Sequence, residues 1–293
     1  MTARGWHGEG LRWTADGPLL RWRGGRESAL PPGKRVVLAV PGDAVRRCVG
    51  ARGNPCPLRA EVPGRSASAR CEECARLERA HSVAADTLAD DPRPYHVYLA
   101  WFGPGMTKVG ITAVRRGSAR LLEQGAVAFT WLGRGPLMAA RRAEEVLRAA
   151  LGVPDRIPYD AKRAVRSELP GDAGERGAEV AALHARAAAL PGWPEALERM
   201  PLEVVDHAGV FGLEGLPPAA GTVRELVPGG LVEGRLLAAA GPDLHLRTGQ
   251  GVVVLDTRLL PGWPLTAAPE GGGGLALPLR PPARRASDQP GLF

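Results

Sequence analysis

The stretch from Tyr95 to Leu151 limits the fold more tightly than any other part of the chain. It opens YHVYLAWFGPGMTKVGIT, two apolar runs joined by a Gly/Pro turn, which is the pattern of a β-hairpin. Strand side chains alternate, so Val97, Leu99 and Trp101 share one face of the first run and His96, Tyr98, Ala100 and Phe102 the other. In the second run Val109 and Ile111 oppose Lys108, Gly110 and Thr112. Arg115 to Gln124 then reads as a short basic helix stopped by Gly125, AVAFTWL as a third strand, and the residues after Pro136 as a second helix. The predicted order is β-β-α-β-α.

The second helix carries the most informative side chain. Leu137, Ala140, Leu147 and Leu151 follow helical spacing, and Glu144 falls on the same stripe. Glu145 instead points to the wet side with Arg141, Arg142 and Arg148. A carboxylate on the packed face must pair with a nearby arginine at the rim, bind a metal, or edge a pocket, because burying it unpaired is costly.

Charge is concentrated in the same stretch. From Tyr95 to Leu151 there are eight basic residues (Lys108, Arg115, Arg116, Arg120, Arg134, Arg141, Arg142, Arg148) against Glu123, Glu144 and Glu145, which is +5 of the formal +7 in 57 residues. This distribution favours a polyanion partner, a nucleic acid (DNA or RNA), over the alternative of a mixed-charge solvated face. Of the 38 Lys plus Arg, only Lys34, Lys108 and Lys162 are lysine. Unless chance placed it, Lys108 marks a position where size, flexibility or proton chemistry disfavours a guanidinium. Tyr98 and Lys108 on one hairpin face suit a base and its electrostatic partner, since a cation beside a phenol favours phenolate. Arg116 or Arg120 would grip a phosphate, and Glu144 would anchor Mg²⁺ or Mn²⁺.

All four cysteines, Cys48, Cys56, Cys71 and Cys74, fall within 27 residues. The CEEC pair has the two-residue spacing that lets two thiolates share a zinc, and the earlier pair can complete a closed, structural Cys₄ site. Reduced unbound thiols and redox chemistry are the alternatives, and His81 is a weaker candidate ligand. A metal here would staple a loop-rich segment and present Arg46, Arg47, Arg52 and Arg59 to the polyanion.

Tyr98 within HVYLA, KVGIT ten residues on, the arginines of the first helix and the glutamate of the second resemble the GIY-YIG nuclease domain. YLA, KVGIT and LLEQGA more closely resemble an uncharacterised bacterial family, DUF2797. The first resemblance implies a small α/β sheet that cleaves phosphodiesters with one divalent metal. Tyr98 would match the first-motif tyrosine, Gly110 the second-motif glycine, Arg116 or Arg120 the helix arginine, and Glu144 the metal carboxylate. Lys108 stands where the second tyrosine usually does. The rival reading is a zinc-containing nucleic-acid or protein binding module without catalysis.

With 293 residues, 44% hydrophobic and 24% charged, the composition is that of a globular α/β (α+β) protein of two or three small domains. No apolar run reaches a membrane span and no signal-like segment opens the chain, so a cytoplasmic protein is expected. The expected segments are an N-terminal β segment (1–47), the cysteine segment and an acidic connector (48–94), the GIY-YIG-like module (95–160), a helical segment (161–200), a C-terminal β domain (201–268) and a disordered low-complexity tail (269–293).

Overall fold

The hairpin beginning at Tyr95 forms, and its register follows the alternation. The structure, a computed structural model, describes residues 5–80, 93–267 and 274–282. The chain divides into two units, one built from 1–87 and 217–282 and the other centred on 88–216. His81 and the acidic residues Asp86, Asp90 and Asp91 of the connector lie outside the described residues.

The first unit opens with β1 (Trp6–Thr14), β2 (Gly17–Trp22), β3 (Glu27–Ala29) and β4 (Arg35–Ala39), followed by α1 (Glu72–Ala80). The second unit contains β5 (Pro94–Trp101), β6 (Thr107–Ala113), α2 (Ala119–Gln124), β7 (Ala128–Pro136), α3 (Leu137–Leu151), α4 (Tyr159–Val165), α5 (Ala173–Ala188), β8 (Glu198–Arg199), β9 (Val205–Asp206) and α6 (Ala208–Phe211). The chain then returns to the first unit with β10 (Ala219–Val223), β11 (Leu231–Ala240), β12 (Asp243–Thr248), β13 (Gly251–Asp256), β14 (Pro264–Leu265), β15 (Leu275–Ala276) and β16 (Leu279–Arg280). No helix among the described residues is long and apolar enough to cross a membrane.

In the second unit β5 is the central strand, antiparallel to β6 and β7, with the short β8 and β9 along the far side of β7. Helices α3 and α5 pack on this sheet. The alternation in β5 predicts which side chains share a face. It does not predict that both faces are covered: Val97, Tyr98, Leu99, Ala100 and Trp101 are all buried. The predicted Arg115–Gln124 helix is also interrupted. A single 3₁₀ turn spans Val114–Arg116, Gly117 takes a left-handed φ of 49°, and α2 begins at Ala119. Its stop is where the sequence puts it, at a left-handed Gly125.

In the first unit, one sheet runs β14-β1-β2-β3, and a larger one runs β15-β11-β12-β13-β10-β16 with β4 on the free side of β11. Strands from the two ends of the chain are thus hydrogen-bonded neighbours: β4 with β11 and β1 with β14. Gly241 and Pro242 form the turn between β11 and β12, and the buried Trp13 indole donates to the Gly241 carbonyl at 2.9 Å. Part of the expected disordered tail is instead strand, because β15 and β16 satisfy their backbone groups on β11 and β10.

Candidate functional site

Cross-strand pairing sets the site of the second unit. Tyr98 lies directly opposite Gly110, and Ala100 opposite Lys108. The Tyr98 ring occupies the space a side chain at position 110 would need. This explains why glycine is found there. The Lys108 ammonium donates to Gln124 Oε1 at 2.9 Å and to the Asp155 carbonyl at 3.0 Å, and Gln124 Nε2 donates to the Tyr98 hydroxyl at 2.9 Å. An ammonium only donates, so Lys108 fixes which way the Gln124 amide faces. Lys162 reaches the same residue from α4, donating to the Gln124 backbone carbonyl at 3.0 Å with its ammonium 3.9 Å from the Phe102 ring centroid. Two of the three lysines therefore meet on the last residue of α2. The scarcity of lysine singles out Lys108, and the same signal would have found Lys162 and, through it, Gln124.

Burial decides the protonation of this network. Tyr98 is 1% exposed, and burial raises its pKa in spite of the Gln124 bond and nearby Arg120. The phenolate expected from the sequence is thus disfavoured, and Tyr98 is a neutral phenol at neutral pH. Lys108 is lowered to about 8, chiefly by burial and then by Arg120. Glu144 is half-buried and raised, first by burial, with Lys108 opposing. It makes no hydrogen bond or ion pair to a described residue, although Lys108, Asp155, Arg148 and Arg141 all act on its charge. The two helix arginines are engaged with one carboxylate: Arg116 is 2.5 Å and Arg120 3.7 Å from Glu123. Both remain partly exposed.

The Lys108 environment has a measurable consequence. Below pH 8 the lysine is charged in both folded and unfolded chains; between about 8 and 10.5 the folded chain has released a proton that the unfolded chain keeps, so stability rises with pH. A shift of this size is on the order of 3 kcal/mol. The stability of the wild type relative to Lys108→Met is expected to climb across that window in urea titrations. A pH-independent difference would show that Lys108 titrates normally.

In the first unit the four cysteines converge. Their sulfurs all lie within 4.8 Å of one another, with Cys56 and Cys71 at 3.9 Å, close to the edge of a tetrahedral zinc–thiolate site. The backbone N–H groups of Gly50 and Cys71 point at Cys48 Sγ, at 3.4 and 3.2 Å. Cys71 and Cys74 sit at the start of α1, which makes their two-residue spacing convergent. The other pair is brought in by a loop with left-handed residues at Gly50, Arg52 and Arg59; the last two are the non-glycine residues with positive φ among the described residues. Such conformations persist where surrounding bonds over-determine them. A backbone hydrogen bond from Ala60 holds Cys56 down to about 7, while burial pushes Cys74 up to about 12. This donor set fits a soft divalent ion such as zinc. Arg46, expected to face a polyanion, is instead 2% exposed. Its guanidinium donates to the carbonyls of Pro261, Pro63 and Ser66 at 2.7 to 2.9 Å, so it ties two loops together and has no fork left for phosphate. Burial lowers it to about 10.

The family model described as a protein of unknown function (DUF2797) matches residues 57–265, more than half of the chain. This chain belongs to the DUF2797 family. The DUF2797 match takes in Cys71 and Cys74, the whole Tyr98–Glu144 module and the strands through β14, whereas Cys48 and Cys56 precede it. Comparison with curated proteins and with solved structures gives no match for this DUF2797 protein.

Proposed function

We propose that this DUF2797 protein acts on nucleic acid as a metal-dependent phosphodiesterase, with a GIY-YIG-like module in its second unit and a structural zinc on Cys48, Cys56, Cys71 and Cys74. The observation that carries the reading is Glu144: a half-buried carboxylate without a described ion-pair partner, within electrostatic reach of the buried Lys108 and of Arg148, Arg141 and Asp155. One carboxylate suits Mg²⁺ or Mn²⁺, which keep waters and take further oxygens from phosphate. Held by Glu144, such an ion would supply positive charge for the leaving oxygen and acidify bound water. Lys108, with a pKa brought towards the working range, is the proton-transfer group in place of a second tyrosine. Tyr98 accepts from Gln124, which leaves its own proton to donate; it serves as a hydrogen-bond donor and positioning residue. Arg116 and Arg120 exchange Glu123 for phosphate oxygens when substrate binds.

The burial of Tyr98 favours a second reading, in which the same face binds nucleic acid without cleaving it. Labelled single-stranded and duplex DNA and RNA, incubated with Mg²⁺ or Mn²⁺ and wild type or Glu144→Ala, separate the two. Cleavage reduced by about 10²-fold or more in the variant supports the enzyme. Equal cleavage by both proteins removes Glu144 from the site. Salt-sensitive binding with no cleavage moves the assignment to the binding module.

A further inference from the structure

The larger sheet of the first unit sets three arginines side by side. Arg35 on β4 is directly opposite Arg235 on β11, and Arg235 is directly opposite Arg247 on β12. Residues paired in this way share a sheet face, and like charges so placed repel. All three are exposed. One acid offsets them: Glu233 accepts from Arg35 at 2.7 Å. Arg235 donates to the Gly33 carbonyl at 3.2 Å, and Arg247 makes no hydrogen bond or ion pair to a described residue.

Charge that guards a sheet edge explains Arg35, because β4 is paired on one side. It does not explain Arg235 and Arg247, whose strands are paired on both sides. The arginines line a groove of about 490 Å³ together with Glu233, the Arg35 partner, and with Gly234, Thr248, Gly249 and Gly274. A Cβ at Gly249 or Gly274 would meet nothing within 4 Å, so the groove is open at those two positions, whereas one at Gly234 would meet the Arg247 carbonyl at 2.8 Å. Neighbouring strands are about 4.8 Å apart, which spreads the three guanidinium stems along a line of about 10 Å. A line of planar forks matches a polymer with repeated phosphates better than one compact anion.

We propose that the Arg35–Arg235–Arg247 row binds the phosphodiester backbone of a nucleic acid, as a surface separate from the Glu144 site. The test uses the full chain and a fluorescein-labelled single-stranded oligodeoxynucleotide, with anisotropy followed over a range of salt. Arg235→Gln with Arg247→Gln is expected to weaken binding by about tenfold and to make the slope of log K against log salt shallower by about 1.4, for two lost phosphate contacts. Arg23→Gln with Arg76→Gln removes the same charge from outside the row and is expected to leave both quantities near wild type. Glu144→Ala retains binding, so failure of the hydrolytic site is read separately. Relief of repulsion leaves the Tm of the row variant unchanged or raises it by about 1–3 °C. Absence of binding by the wild type, equal losses in the two arginine pairs, equally tight binding of polyglutamate, or a sharp fall in Tm of the row variant would each overturn the assignment.

Discussion

Cys74→Ser is expected to lower the Tm of the first unit by more than about 10 °C and to reduce bound zinc from one equivalent per chain to a small fraction. A structural zinc contributes its binding free energy to folding, about 10–16 kcal/mol in isolated zinc-finger peptides. Loss of one of four thiolates in a larger unit forfeits part of that, more than about 4 kcal/mol. The effect is large here because, beside backbone hydrogen bonds and the Arg46 guanidinium, the 48–74 loop is held by a small apolar cluster. Its buried apolar cluster is Cys48, Cys56, Val62 and Cys74, so the candidate metal ligands are themselves most of the local core. Metal analysis of the purified protein and proteolysis with and without a strong chelator check the prediction. A metal-free wild type whose melting ignores the chelator would sink the zinc assignment.

Gly110→Ala is expected to destabilise the second unit by about 3 kcal/mol, a fall in Tm of at least about 5 °C, and to disrupt the site. The added methyl would come within 2.5 Å of Tyr98 Cζ and closer still to its hydroxyl. The ring has no room to withdraw, being buried and tied to Gln124 at 2.9 Å. Denaturant titration of Gly110→Ala, Tyr98→Leu and the double variant gives the decisive comparison: a double variant more stable than the sum of the two losses identifies the clash. Strict additivity would mean that Gly110 matters for another reason.

What the sequence revealed about this site was local. Period-two alternation placed Tyr98, Gly110 and Lys108 on one face, and helical spacing separated Glu144 from Glu145; both follow from backbone geometry alone. Neither pattern says what lies over a face. That is why Tyr98 read as an accessible base, although helices and loops packed on the sheet bury it and raise its pKa. Arg46 read as a surface charge for the same reason: the carbonyls that receive it come from residues about 20 and 215 positions away. The arginine row was illegible on principle. Arg35, Arg235 and Arg247 become neighbours when β4, β11 and β12 acquire their register, and no periodicity in any one strand contains that information. The convergence of Cys48 and Cys56 with the CEEC pair was readable as a possibility, while the left-handed turns that achieve it were not.

The first unit is made from two lengths of chain separated by residues 88–216 of the second. During synthesis β4 therefore leaves the ribosome long before its partner β11; at about 5–20 residues per second the interval between Ala39 and Leu231 is roughly 10–40 s. Throughout that wait the apolar side of β4, Val36 and Leu38, has no sheet to cover it, while the intervening unit can complete its own fold. The cysteine segment differs from its surroundings because all four of its sulfurs emerge together. A metal bound there would give the N-terminal part of the unit an ordered anchor well before the strands that finish it have been made.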